Sequence, residues 1–425
     1  MNRMDYLKLL KDDNVKFVYN ITEENIINEL INLKQLTLEL TDACNLNCKY
    51  CGYGEMYTTH DKRNNKFMTF GTAKTIIDYL YNLWSNNRPV SKCRVITIGF
   101  YGGEPLLNFD LIRKIVNYIE SLPPIFDIVF KYNMTTNGIL LERYMNYLVE
   151  HKFTLLISLD GNEYAHSYRV DFNNMNSHDK IISNVRKLKK DFPDYFKNYV
   201  SFNSVLHDRN DVRGIKEYIN NEFGKKAQIS ELNNFGICEN KKNEFIRMYH
   251  TAESDISIED VDFDEMCPDI MNLFRFVGKM SSNYYPTYNS LMNKHPRRMY
   301  PTGTCTPFGK KMFVTVNGKI LPCEKIDHKY ALGYVDEKGI SLNLSQIAHK
   351  YTSYYSKMKL LCSKCYKKTF CSQCIFYMNN LDGKVNCPSY LGVDNVQSYI
   401  AYYIKMLHKH PLLYRKVSTD LLLQL

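Results

Sequence analysis

Ten of the thirteen cysteines in this 425-residue chain fall in two groups, and no other feature restricts the fold as strongly. Three lie between Cys44 and Cys51 and seven between Cys305 and Cys387, while Cys93, Cys238 and Cys267 stand apart. Disulfide frameworks belong mainly to small secreted domains. This chain is large, and the stretch from Met1 to Asn14 is broken by Asp5, Lys8, Lys11, Asp12 and Asp13 with no apolar signal core. The expectation is a cytoplasmic protein whose clustered thiols bind metal. No apolar run approaches the roughly 18 residues of a membrane span, so no membrane partner is expected.

A formal net charge of +10 admits an anionic partner. The basic residues are nevertheless spread along the chain without a long Lys/Arg block, so nucleic acid is not an expected partner.

From residue 35 onward, short apolar runs alternate with amphipathic stretches. Candidate strands are Gln35–Leu40, Val95–Tyr101, Ile128–Thr135, Phe153–Ser158, Tyr199–Leu206 and Ala227–Leu232. Helical patterns lie between them, over Gly71–Trp84, Asp110–Ser121, Leu141–His151, Asp179–Asp191 and Val212–Glu222. Such alternation predicts parallel βαβ units. Roughly six units suit a partial barrel better than a complete eightfold one. The fold class is therefore α/β, a partial (β/α)6 TIM-type barrel with a C-terminal cysteine-rich domain. The expected divisions are a helical extension over 1–34, the barrel over 35–240, a connecting helical region over 241–300, the cysteine-rich domain over 301–390 and a C-terminal helix over 391–425. The short helical pattern Glu23–Leu33 is expected to pack on the barrel.

The first cysteine group, Cys44-x3-Cys48-x2-Cys51, directly follows the first strand. Three thiolates can hold one iron–sulfur cubane and leave its fourth iron open to substrate or cofactor. Zinc is the blander reading, but structural zinc usually takes four ligands in paired spacing. With Tyr50 before the last cysteine, the run resembles the radical S-adenosylmethionine superfamily. Tyr101-Gly102-Gly103-Glu104-Pro105 resembles that family's GGEP loop, which holds the methionyl amine. Two glycines let backbone approach a ligand, and carbonyls together with Glu104 can accept bonds from an ammonium group. Thr136-Asn137-Gly138 resembles the family's TNG turn.

Ser158-Leu159-Asp160-Gly161 follows the fourth strand, with His166 and Arg169 beyond it. The resemblance implies that Ser158 and Asp160 contact the ribose region and that Arg169 pairs with the methionyl carboxylate, to which a guanidinium is well matched. Turn formation is the plainer role for Asn137 and Asp160, and His166 reads as structural. Tyr50 either covers the adenine or serves the core. The implied cofactors are a [4Fe-4S] cluster and the S-adenosyl-L-methionine that it binds. The implied chemistry is reductive cleavage to a 5′-deoxyadenosyl radical, which takes hydrogen from substrate. The electron would come from a low-potential donor such as ferredoxin or flavodoxin.

The second group reads Cys305, Cys323, Cys362-x2-Cys365-x5-Cys371-x2-Cys374, then Cys387. It resembles the SPASM extension, which carries auxiliary clusters in radical enzymes that modify peptides and proteins. The resemblance implies two auxiliary [4Fe-4S] clusters, one on Cys362, Cys365, Cys371 and Cys387 and the other on Cys305, Cys323 and Cys374. The interval between Cys371 and Cys374 is one residue shorter than usual, which leaves the assignment of Cys374 open. The quartet Cys362–Cys374 by itself would also suit zinc.

The leading expectation is a maturase that installs a thioether, C–C or C–O crosslink in a ribosomally made precursor peptide. Residues 1–34 are too few for a leader-binding domain. Leader recognition then falls to a separate protein, or to the barrel and residues 240–300. The alternative is an anaerobic sulfatase-maturating enzyme that forms formylglycine. A non-catalytic zinc-binding protein is the reading from another class.

Overall fold

The computed structural model describes residues 15–87, 94–125, 128–252, 273, 276–277, 297–301, 306–368, 371, 373–378, 381–415 and 417. Its strands in chain order are β1 (Val15–Phe17), β2 (Gln35–Thr41), β3 (Arg94–Gly102), β4 (Ile128–Thr136), β5 (Thr154–Ser158), β6 (Val200–Leu206) and β7 (Ala227–Glu231). They continue with β8 (Arg297–Met299), β9 (Met312–Val314), β10 (Lys319–Leu321), β11 (Gly333–Val335) and β12 (Ile340–Ser341). The chain forms two compact units, residues 23–255 with 305–347, and residues 1–22 with 256–304 and 348–425.

In the first unit β2 to β7 pair in chain order, all parallel, as alternating strand and helix patterns require. This is the expected six-stranded partial barrel. The helix Phe109–Ser121 shows why its segment folds this way: Leu111, Ile112, Ile115, Val116 and Ile119 fall on one face and are buried. Each such side chain contributes roughly 1.5–3 kcal/mol when taken from water. Thr69 caps Phe70–Asn86 by accepting from Thr72 N, and Asp211 caps Val212–Phe223 by accepting from Gly214 N.

The strand faces differ in chemistry. Side chains alternate across a strand, and in β6 Val200, Phe202, Ser204 and Leu206 are buried while Ser201, Asn203 and Val205 stay partly open. In β2 the apolar set is Leu36, Leu38 and Leu40, and the opposite set is Thr37, Glu39 and Thr41. A Cβ on Gly99 would meet Asn133 Oδ1, Thr37 Oγ1 and Gln35 Nε2 at 2.8–3.0 Å, so amide and hydroxyl groups converge over this glycine. A closed TIM barrel fills its interior with branched apolar side chains; this one lines it with hydrogen-bonding groups.

Two expected divisions are corrected here. The cysteine-rich stretch is not one domain after the barrel. Strand β9 pairs parallel with the free edge of β2, and β10, β11 and β12 extend the same sheet antiparallel, so Cys323 belongs to the barrel unit. An unpaired β2 edge is an open template, and the three-residue β9 closes it. The N-terminal extension is also divided. Its helix, Glu23–Ile31, packs on the barrel unit, where Trp84 Nε1 donates to Leu30 O at 3.1 Å. The segment before it joins the other unit, because β1 pairs parallel with β8.

In the second unit Tyr351, Tyr355 and Met358 of the helix Leu344–Lys364 are buried, as are Ile375, Phe376 and Met378. Leu391, Val396, Ile400, Tyr403, Met406 and Leu413 bury around the helix Val393–Lys409 with Leu273, Phe276 and Val277. Most of the connecting region expected over 241–300 lies outside the described residues. Among the described residues no helix is long and apolar enough to cross a membrane.

Candidate functional site

The first cysteine group occupies the loop leaving β2, at the strand end where barrel chemistry is housed. Backbone ties shape the loop on several sides. Asp42 accepts from Asn64 N at 2.9 Å and Lys66 N at 2.6 Å, while Asn47 N donates to Val170 O and Lys49 N to Tyr168 O. Cys44, Cys48 and Cys51 are all half-buried. Burial pushes the Cys44 thiol up to about 11 and the Cys48 thiol up to about 12. Thiols that remain protonated by themselves become ligands when a metal ionises them. Three cysteines on one loop, Cys44, Cys48 and Cys51, are the donor set that an iron–sulfur cluster takes.

The Gly-Gly loop after β3 lies against this cysteine loop. Gly103 N donates to Thr41 O at 2.8 Å and Glu104 N to Ala43 O at 2.9 Å. A Cβ on Gly102, whose φ is +139°, would collide with the Thr41 carbonyl oxygen, and one on Gly103 with that of Ala43. The close approach that demands glycine is thus made to the cysteine loop's own backbone. Pro105 opens the turn Pro105–Asn108.

Glu104 is fully buried, and its oxygens accept from Leu106 N at 3.1 Å, Thr136 Oγ1 at 2.8 Å and Asn137 N at 2.8 Å. Burial pushes its carboxyl up to about 7 against those three bonds. Its carboxylate therefore fastens the TNG turn to the GGEP loop. Asn137 continues the connection, with Nδ2 at 2.7 Å from Asn45 Oδ1 and 3.7 Å from Cys44 Sγ.

A second buried network lies on the far side of the loop. Ser158 is buried at the end of β5, and Asp160 beyond it is fully buried. Asp160 accepts from Arg169 Nε at 2.9 Å, Arg169 Nη2 at 3.1 Å, Val205 N at 2.9 Å and the Tyr50 hydroxyl. Burial alone would raise the Asp160 carboxyl, but the Arg169 guanidinium and these bonds hold it well below the usual carboxylate range. Arg169 also sits 5.4 Å from the centre of the Tyr50 ring. Tyr50, Asp160 and Arg169, expected to face the cofactor separately, thus form one interior network. His166 is buried beside this network: Asp160 N donates to Nδ1 at 3.3 Å, Nε2 lies 3.1 Å from Ser177 Oγ, and burial lowers the ring to about 3.

Sequence reasoning missed two participants. His207 lies 3.7 Å from Asp160 and stacks at a tilt on Tyr50. Arg63 donates from Nη2 to Cys51 Sγ at 3.2 Å. Neither has a spacing signal, because the residues they touch are distant in sequence or lie across a loop.

In the second unit Cys362, Cys365, Cys371 and Cys387 line a single pocket, together with Phe17, Met378 and Tyr390. Cys374 is not among its lining residues and instead precedes the turn Ile375–Tyr377, accepting through its carbonyl from Tyr377 N. The four thiols around the pocket are therefore not the paired CxxC quartet that suits zinc. Cys323, in the barrel unit, accepts at Sγ from Lys325 N at 3.4 Å, and burial pushes its thiol up to about 12. Cys305 lies outside the described residues. Among the described residues no three His, Cys, Asp or Glu side chains are grouped as donors to one metal ion.

Comparison with known proteins matches these features. Residues 38–220 fit the profile of the Radical SAM superfamily. The radical SAM cyclopropyl synthase TigE of Paramaledivibacter caminithermalis is 26% identical over 308 residues, 69% of this chain and 57% of its own length. The chain thus spans little more than half of that relative. The cysteine-type anaerobic sulfatase-maturating enzyme of Clostridium novyi is 26% identical over 321 residues, 73% of this chain and 78% of its own. The solved structure of native anSMEcpe with bound AdoMet and Kp18Cys peptide shares the fold, with a TM-score of 0.57 at 18% identity over 91% of this chain and 99% of that one. The superfamily profile lies on the strands that carry the three-cysteine loop, the Gly-Gly loop and the Asn137 turn, and the shared fold runs on through the cysteine-rich end. Residues 38–220 are therefore a radical SAM domain, whose cofactors are a [4Fe-4S] cluster and S-adenosylmethionine, and the fold shared with anSMEcpe extends beyond that domain.

Proposed function

We propose that this enzyme oxidises a Cys or Ser side chain in a peptide segment of a protein substrate to formylglycine, as a sulfatase-maturating enzyme does. The observation that carries this reading is 26% identity over 73% of the chain to an anaerobic sulfatase-maturating enzyme, with the fold of anSMEcpe shared over 91% of the chain beside it. Peptide crosslinking was the leading expectation from the motifs. It becomes the second reading, favoured by the 26% identity to a cyclopropyl synthase over a smaller share of that relative.

In the proposal Cys44, Cys48 and Cys51 hold the cluster that binds S-adenosylmethionine. When bound, cluster and cofactor supply the 5′-deoxyadenosyl radical that takes a hydrogen atom from the substrate β-carbon. Backbone of Gly102, Gly103 and Pro105 orients the methionyl end, with Glu104 holding Thr136 and Asn137 in place behind it. Asp160 fixes Arg169 and Tyr50 at the other side, next to Ser158. Cys362, Cys365, Cys371 and Cys387 hold one auxiliary [4Fe-4S] cluster, which their shared pocket supports. Removing one hydrogen atom from Ser leaves an electron and a proton to lose before the aldehyde forms; the same losses from Cys give a thioaldehyde, which water converts to the aldehyde with release of hydrogen sulfide. A cluster held by Cys362, Cys365, Cys371 and Cys387 would supply the acceptor for that electron. A low-potential ferredoxin or flavodoxin supplies the first electron.

Anoxic incubation with sulfatase-type peptides carrying Cys or Ser, followed by mass spectrometry and hydrazide capture, separates the readings. An aldehyde formed in step with 5′-deoxyadenosine supports maturation. Loss of two hydrogens from a neighbouring-gene peptide, with no hydrazide capture, would support the crosslink instead.

A further inference from the structure

Arg63 is a cation placed against Cys51, one of the three cysteines assigned to the radical cluster, with no acid paired to it among the described residues. Its Nη2 donates to Cys51 Sγ at 3.2 Å. Its guanidinium carbon lies 5.3 Å from the centre of the Tyr53 ring, which shields it from one side. Nε is buried and has no hydrogen-bond partner among the described residues. No carboxylate lies within ion-pair distance of Arg63 among the described residues; Glu39 senses its charge only at longer range. The opposite arrangement holds on the other side of the cysteine loop, where Arg169 is locked bidentate to Asp160.

Arg63 is half-buried, and at a partly dry site a cation without a counter-ion relies on the acceptors that remain, here the Cys51 sulfur and the Tyr53 ring. The sulfurs of Cys51 and Cys44 are the largest influences favouring its charge. The segment that carries Arg63 is held in place from both ends. Asp42 grips Asn64 N and Lys66 N just beyond it, and Asp61 just before it bonds Lys319 at 2.6 Å. The guanidinium is therefore fixed at the sulfur by backbone anchors and does not reach it from a free side chain.

We infer that Arg63 sets the reduction potential of the cluster on Cys44, Cys48 and Cys51 by donating a charged hydrogen bond to the Cys51 sulfur. Hydrogen bonds to cluster sulfurs and local charge are principal determinants of such potentials. A cation beside a sulfur stabilises the reduced cluster, which carries one more negative charge than the oxidised one. Arg63 thus eases entry of the first electron from a weak donor, and it acts as a positioning residue through the sulfur without touching substrate. The inference rests on the assignment of the three cysteines to the radical cluster.

The test is a midpoint titration of anaerobically reconstituted full-length enzyme without S-adenosylmethionine, followed by electron paramagnetic resonance. The cluster concerned is recognised in a parallel sample as the signal that added S-adenosylmethionine perturbs. In Arg63→Gln the ratio of reduced to oxidised cluster at a fixed poise should fall at least about tenfold, a shift of about 59 mV for one electron. Arg63→Lys, which keeps the charge but loses the planar fork, should fall between the two. If the Gln variant assembles no cluster, the Lys variant decides, and a midpoint equal to wild type overturns the inference. A Gln midpoint equal to wild type, or a shift seen only with S-adenosylmethionine bound, also overturns it. Absence of any cofactor-sensitive signal from the wild type would instead sink the three-cysteine assignment.

Discussion

The two cysteine-bearing units reach their thiols by different routes. In the barrel unit the loop Cys44–Cys51 hangs from a ten-stranded sheet and is tied by Asp42, Gly103, Glu104, Val170 and Tyr168 through bonds that involve no metal. In the other unit four thiols line one pocket at the end of the helix Leu344–Lys364, beside short turns and the parallel pair β1–β8. The barrel is a scaffold that stays folded and carries a site. The smaller unit sets its pocket at the end of the helix Leu344–Lys364, and the cluster proposed there would add metal–thiolate bonds to that unit's stability.

The strongest way to break this contrast is to remove one ligand from each region. Cys371→Ala should unfold its own unit, with a loss on the order of the roughly 10 kcal/mol that structural metal contributes in small domains. Cys48→Ala should leave the barrel's unfolding midpoint nearly unchanged. Limited proteolysis with mass mapping reads both effects; early cuts in residues 348–415 of the first variant, and none in residues 35–250 of the second, are expected. Equal sensitivity of the two would erase the distinction.

A smaller effect tests the claim that the barrel site is organised without metal. Asp160→Asn leaves Arg169 buried and half-paired, which should cost about 3–5 kcal/mol in denaturant unfolding of the apo-protein. Gly103→Ala should cost about 1–3 kcal/mol, because the new methyl group must displace the Ala43 carbonyl. That variant should also bind S-adenosylmethionine more weakly in equilibrium dialysis, whereas a purely structural glycine would leave the affinity alone.

The smallest effect per unit of change concerns acid. Burial lowers His166 from its ordinary 6.5 to about 3, so the unfolded chain takes a proton there before the folded chain does. His166 therefore lowers stability as pH falls from 6.5 toward 3, with a slope of at most about 1.4 kcal/mol per pH unit. His166→Gln should flatten the stability profile of the apo-protein in that window. An unchanged slope would show that His166 is solvated in the folded state.

How far the sequence foretold this depended on whether a feature was periodic. The six barrel strands and their helices follow from alternating and 3.6-residue patterns, and each lies within two residues of its expected bounds, as with Ile128–Thr136 and Val212–Phe223. Strand β9 carries no such signal. It is three residues long, in a turn-rich stretch, and its reason for being a strand is the open edge of β2. The pairing of β1 with β8 is non-local in the same way. Motif spacing located the loops around the site but not their partners. Glu104 was legible as part of GGEP, yet its bonds to Thr136 and Asn137 span more than thirty residues. Arg63 sits among Lys62, Asn64 and Asn65, an unremarkable polar run that only the fold brings to a sulfur.

The central claim, that the metal-free scaffold of the barrel presents Cys44, Cys48 and Cys51 to a radical cluster, meets its most direct test in cofactor cleavage. Reconstituted wild type, reduced under anoxic conditions with S-adenosylmethionine, should form 5′-deoxyadenosine on chromatographic assay. Cys48→Ala should form none while its barrel remains folded. Formation of 5′-deoxyadenosine by that folded variant would contradict the claim.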